Sequence, residues 1–227
     1  MKKGFLALSL LRVGLKRLLY PPICLFCLEE ILDERFHTLC EGCFGELEFL
    51  EGFEKVTNHA PFCRHIAAPF EHGGVAEVVV EGFKAAGRSY LADAMAGFML
   101  LKWLEGDFPE PDVIVPVPAS PVTSFQRGYQ PSVLLAETIG ELLNKPVWNG
   151  LSKEVAFLKQ AHLSKEEREK GKIAPLYLVK DPKVLEDKTV LLVDDVMTTG
   201  ATLNQAARLL CGGYPKAVDA LVFTTHA

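Results

Sequence analysis

The chain has 227 residues, enough for one medium domain with a small appendage. Its 49% hydrophobic and 23% charged content exclude a disordered chain. Its net charge of -5 excludes a global basic field, so any contact with nucleic acid must come from a local patch.

Residues 1–20 predict an amphipathic helix, because Phe5, Leu8, Leu11, Leu15, Leu18 and Leu19 recur at helical spacing. The same stretch carries Lys2, Lys3, Arg12, Lys16 and Arg17 and no acid. This basic arm is either a solvated helix face or a surface for nucleic acid or membrane. Arg12 and Lys16 interrupt its apolar run and no small-residue cleavage site follows, which argues against a signal peptide. No stretch is long and apolar enough to span a bilayer, so a cytoplasmic protein is expected.

Residues 21–65 predict a small module built on Cys24, Cys27, Cys40 and Cys43. These read Cys-x2-Cys, twelve residues, Cys-x2-Cys, a spacing that brings four thiolates to one tetrahedral metal. The segment between the pairs is too small to build its own core, and zinc would supply the missing folding energy. Disulfides compete with this account, although a cytoplasm keeps thiols reduced. The expected zinc is structural, since four thiolates leave no open position for water. Cys63 with His59 and His65 leaves a second metal open, while Cys211 ends an apolar helical stretch and reads as core.

Residues 66–227 predict the larger domain. Its first part, through Ser89, reads as strand-like segments and turns. A helix over 90–105 is stopped by Gly106, Pro109 and Pro111. The β-branched run 112–118 predicts a buried strand. Residues 131–145 predict a helix that starts at Pro131. The polar stretch 151–172 reads as an exposed helix or a loop, and 176–179 as a strand. Strands over 188–195 and 216–226 flank a helix over 201–213 that is ended by Gly212 and Gly213. Alternating helices and continuously apolar strands predict an α/β fold with a mainly parallel sheet.

The segment Val190–Thr202, VLLVDDVMTTGAT, carries the strongest chemical signal. Asp194 and Asp195 follow an apolar run and so sit at the carboxyl end of a strand, where open parallel sheets bind ligands. Thr198, Thr199, Gly200, Ala201 and Thr202 then lead into a helix start. Its free N–H groups and partial positive charge, with these hydroxyls, make a phosphate socket. The acids must lie beside the phosphate, accepting hydrogen bonds from hydroxyls or holding a divalent cation. A ribose 5-phosphate satisfies both halves. The alternative is a capped strand–turn–helix without a ligand.

This segment resembles the phosphoribosyl pyrophosphate (PRPP) motif of type I phosphoribosyltransferases. Further pieces, PPICLFC…LCEGC, VVVEGFKAAGR, VIVPVPASPVTSFQRGYQPSVLLAE and LKQAHLSKEERE, resemble the ComF competence-associated branch in the same order. The resemblance implies a type I phosphoribosyltransferase-like fold with an N-terminal zinc-ribbon-like module. It implies that Asp194 and Asp195 are the catalytic pair, binding ribose hydroxyls directly or through Mg2+. It implies that Thr198, Thr199, Gly200, Ala201 and Thr202 cradle the 5-phosphate. Pro118, Ala119 and Ser120, through Pro121, lie where such folds place a pyrophosphate loop. Arg127 falls in an Arg-Gly-aromatic motif, and Gln160, Leu163 and Arg168 fall in a hood over the site. Lys84 and Gly87 match a Lys-x-x-Gly piece. The chain departs from the branch at Gln130, Pro131 and Gly171, and it lacks the further Cys pairs of many members.

Three functions stand on this reading. One is a ComF-like, PRPP-binding accessory factor that handles single-stranded DNA in natural transformation. Another is an active phosphoribosyltransferase of nucleotide salvage with an unidentified acceptor. The third is a scaffold whose zinc module docks a competence helicase or a recombination mediator. The sequence shows no acceptor site and no evident general base, His162 reading as a solvated hood residue.

Overall fold

The computed structural model describes residues 23–31, 38–51, 60–85, 88–106, 108–119, 128–153 and 177–226. The expected basic helix over 1–20 lies outside the described residues.

Five parallel strands build the main sheet. Strands β1 (Ile66–Ala67) and β2 (Phe70–Glu71) both pair with β7 (Ala217–Thr225). Strand β7 pairs with β6 (Thr189–Met197), and β6 with β3 (Val113–Pro116). Val147 adds a parallel bridge to Ile114 beyond β3. The central strands are mostly apolar because both faces are covered, with Asp219 in β7 and the acid pair near the end of β6 as exceptions.

Side chains alternate across β6, and the alternation sorts the core. Leu191 and Val193 face one cluster, with Val79, Phe83, Met95, Met99 and Leu135. Val190 and Leu192 face the other, with Leu203, Ala206 and Leu210. The first cluster is supplied by α2 (Gly74–Lys84), α3 (Ala92–Glu105) and α4 (Pro131–Leu143). The second is supplied by α5 (Ala201–Leu210).

Helix α2 corrects one expectation. The run around Val78, Val79 and Val80 reads as strand-like, yet it is helical. Val75, Ala76, Val79, Val80 and Phe83 are buried at helical spacing, so one face of an 11-residue helix takes up the whole run. A β-branched cluster this short does not distinguish the two periods by composition. Helix α4 begins as read, with Pro131 in its first turn, and it ends at Asn144 in the left-handed region (φ 52°).

The cysteine module does not have a core of its own. Cys24, Ile31, Leu39, Cys43 and Leu47 are buried in the cluster that contains Phe83 and Met95. Its one described helix, α1 (Glu41–Gly45), is capped by Cys40, whose sulfur accepts from the Cys43 N–H. Residues β4 (Leu151–Lys153) and β5 (Tyr177–Val179) pair antiparallel outside the main sheet. They bracket the expected hood, and Gln160, His162, Leu163 and Arg168 lie outside the described residues.

Candidate functional site

All strands of the main sheet run in one direction, so their carboxyl ends share one edge. That edge collects the end of β3, the end of β6, and the residues after β2 and β7. Asp194 and Asp195 lie inside the last turn of the β6 ladder rather than past it, since pairing with β7 continues to Met197. Adjacent strand residues face opposite ways. Asp195 therefore shares the face of Leu191 and Val193, and Asp194 the face of Val190 and Leu192.

The two acids are linked. The Asp195 backbone N–H donates to Asp194 Oδ1 at 2.9 Å. Loss of hydration pushes the Asp194 carboxyl well above the usual carboxylate range, and the Asp195 charge beside it adds to the shift. On the other face, Lys84 at the end of α2 lies 3.7 Å from Asp195 Oδ2. Its neighbour Glu81 is 3.6 Å away and mostly exposed.

The turn after β6 has the shape the motif requires. Gly200 adopts φ 72° and caps α5, a conformation that costs a side-chain-bearing residue. Thr198, Thr199, Ala201 and Thr202 are exposed around it, and Gly200 itself is buried. The helix start thus faces solvent beside the acids, where its first N–H groups suit an anion. Thr199 Oγ1 accepts from the Ala201 N–H at 3.5 Å.

Pro118 and Ala119 continue β3 at the same edge. The Val117 N–H donates to Val193 O at 2.8 Å, which places this loop beside Asp194. Ser132 at the start of α4 donates to Val117 O and fixes the loop from behind. Gln130 Oε1, just ahead of it, is buried and accepts no hydrogen bond from the described residues. Ser120, Pro121 and Arg127 lie outside the described residues, as does Gly87. Tyr129 of the Arg-Gly-aromatic motif is described, and its hydroxyl donates to the carbonyls of Phe83 and Ala85.

Composition and spacing did not point to two side-chain clusters near the sheet. His72 and His226 follow β2 and β7 at the carboxyl edge, their rings 4.5 Å apart. His72 Nδ1 lies 2.9 Å from Thr224 Oγ1, and burial, then His226, lowers its pKa. At the opposite end, buried Asp219 accepts from Arg64 Nε at 3.0 Å and lies 3.0 Å from His65 Nδ1. No local signal pairs residues 155 positions apart.

The four module cysteines converge, with their sulfurs all within 4.8 Å of one another. Cys27 and Cys40 sulfurs are 3.7 Å apart, and a tetrahedral zinc with Zn–S bonds of about 2.3 Å needs sulfurs about 3.8 Å apart. The donor set fits structural zinc. The sequence has six cysteines, and the two left outside this site, Cys63 and Cys211, are too few for a second four-thiolate site. Cys63 is buried in the second cluster, and burial, then the Asp219 charge, pushes its thiol up to about 12. His59 lies outside the described residues. No helix among the described residues is long and apolar enough to cross a membrane.

This architecture is that of a type I phosphoribosyltransferase fold carrying a zinc ribbon. A phosphoribosyl transferase domain model matches residues 100–227, and a double zinc ribbon domain model matches residues 15–80. Competence protein F of Haemophilus influenzae is 34% identical over 101 residues, 44% of this chain and 44% of that protein. DNA utilization protein YhgH of Salmonella typhi is 30% identical over 139 residues, 59% of this chain and 60% of that protein. The chain thus spans between 44% and 60% of these curated relatives. A purine phosphoribosyltransferase from Pyrococcus horikoshii is similar with a TM-score of 0.37 and 20% identity, over 60% of this chain and 72% of that one. The chain belongs to the phosphoribosyl transferase domain family, as a ComF-family member with an N-terminal zinc module.

Proposed function

We propose that this protein binds PRPP at the β6–α5 turn and serves as an accessory factor that handles single-stranded DNA in natural transformation. The observation that carries it is the junction of the acid pair with the Gly200 turn: carboxylates at a sheet edge, then an exposed helix start. In this reading Thr198–Thr202 hold the 5-phosphate, and Asp194 and Asp195 hold the ribose hydroxyls. Pro118 to Ser120 and Arg127 face the pyrophosphate, and Gln160 and Arg168 close over it. Mg2+ would neutralise pyrophosphate charge beside the acids. The names of the two relatives support the DNA-handling role. A basic surface formed by Lys2, Lys3, Arg12, Lys16 and Arg17 would supply the contact with single-stranded DNA.

We further propose the division into residues 1–20, the module 21–65 and the domain 66–227. A cytoplasmic location goes with this reading, because a reducing compartment keeps the four thiols available to zinc.

The test is calorimetric titration with PRPP and Mg2+, with strand binding measured against salt. Saturable PRPP binding that is lost in Asp194→Asn/Asp195→Asn with zinc retained supports the site. Strand binding that weakens as salt rises supports the role, and none at low salt removes it. An active transferase is the second reading, favoured by the complete acid–hydroxyl–glycine run. It requires pyrophosphate release with some base or amine. A docking role for the module, with a helicase or recombination mediator, is favoured by exposed Ile23, Phe26 and Leu28 around the first cysteine pair.

A further inference from the structure

The end of α2 is held from three sides. From the zinc module, Leu25 packs against it: a Cβ on Gly82 would lie 3.3 Å from Leu25 Cδ1. Leu25 directly follows the zinc ligand Cys24, and its N–H donates to Thr38 O across the module at 3.0 Å. From the start of α4, Tyr129 donates to the Phe83 and Ala85 carbonyls, which the helix end leaves without intrahelical partners. From the sheet, Asp195 Oδ2 faces Lys84 Nζ at 3.7 Å. Both members of that pair are largely shielded, with side-chain exposures of 22% and 13%. A pair this enclosed is screened less than a surface one.

These contacts lie within four consecutive residues, Gly82 to Ala85, and they join the module to the acid pair. We propose that Lys84 is a positioning residue for the ligand site, and that the zinc module sets its place through Leu25 and Gly82. The inference rests on reading residues 194–202 as the PRPP site. Lys84 holds Asp195 in one orientation, ready to accept a hydroxyl from the sugar. Leu25 leaves Gly82 when the module opens, and the helix end then loses one of its three supports. Loading of the cysteine module and affinity at the acid pair are therefore coupled, with α2 as the shared element.

The test uses the full chain loaded with zinc, as wild type, Leu25→Ala, Lys84→Met and the double variant. Leu25→Ala keeps all four thiolates, and one zinc per chain reports an intact module. Two readouts are taken: hydrogen exchange of the Phe83–Ala85 amides, and calorimetric titration with PRPP and Mg2+. Leu25→Ala is expected to speed that exchange about tenfold with zinc retained. Each single variant is expected to weaken PRPP about fivefold, a common size for coupling between sites. The double variant is expected to be no more than about twofold weaker than either single one, because both act through one contact. Unchanged exchange in zinc-loaded Leu25→Ala overturns the inference. So do single effects that multiply in the double variant. If the wild type binds no PRPP, the proposed function falls, and the exchange readout alone decides whether the module supports Lys84.

Discussion

Lys84 Nζ lies 3.7 Å from Asp195 Oδ2, so the last turn of α2 is tied to an acid pair more than a hundred residues further along the chain. One cation thus pairs with Asp195, while Asp194 beside it feels that charge only at longer range. The charge is not cancelled, and it is Asp194 that carries the strain, its carboxyl driven up by burial and by Asp195 while Lys84 lowers it. Removing the cation should raise it further. In Lys84→Met, a carboxyl 13C NMR titration should show Asp194 ionising at higher pH than in wild type. An unchanged titration would show that Lys84 does not act on the pair.

The raised Asp194 pKa has a consequence for stability. Its folded pKa lies above its unfolded value, so the folded state binds its proton more tightly. Stability from this group is complete below the unfolded pKa and falls as pH rises through the interval to the folded pKa. Asp194→Asn keeps the acceptor for the Asp195 N–H and removes the titration. The variant should melt at higher temperature than the free wild type at neutral pH, and at the same temperature in strong acid. PRPP binding should be lost in the same variant.

Gly200 sits at φ 72° at the start of α5. A side chain in the left-handed region costs about 1–2 kcal/mol. Gly200→Ala should lower the unfolding free energy measured in urea by that amount and also weaken PRPP, since in the proposed reading this turn is the phosphate cradle. A stable variant with full affinity would show that the turn tolerates a Cβ.

The zinc module shares its core with α2 and α3, because Cys24 and Cys43 are buried in the cluster of Phe83 and Met95. Cys24→Ser should therefore lose zinc and also lower the melting point of the whole chain. A loss of about 2 kcal/mol corresponds to about 4–8 °C for a chain of this size. Scanning calorimetry should show one transition, and two well-separated transitions would mean that the module unfolds by itself.

Asp219 is fully buried and held by Arg64 and His65. Arg64→Leu leaves the carboxylate with His65 alone. Hydrogen bonds to charged groups contribute about 1.5–3 kcal/mol, so a loss near 2 kcal/mol is expected in urea unfolding. Asp219→Asn with Arg64→Leu should recover part of it, since the uncompensated charge is then gone.

Much of the fold was legible. The runs read as strands over 112–118, 188–195 and 216–226 are the strands Val113–Pro116, Thr189–Met197 and Ala217–Thr225, because a strand covered on both faces is mostly apolar. Helices α3, α4 and α5 were legible from spacing and from their end residues. The valines of α2 were not, because a short β-branched run fits either period until its partners are known. The Gly200 turn and the cysteine pairs were legible because their chemistry is written within a few residues.

The sequence by itself determined what is local: four thiols spaced for one metal, two acids ahead of a hydroxyl-rich glycine turn, and strands too apolar to meet water. Those features depend on neighbours along the chain, and the backbone geometry of a knuckle or a helix start follows from them. Only the tertiary structure decided which partners the local pieces meet. Lys84 against Asp195, Leu25 against Gly82, Tyr129 on the end of α2 and Arg64 on Asp219 are contacts between distant segments. They exist because one sheet gathers its strand ends on a single edge and one core is shared by module and domain.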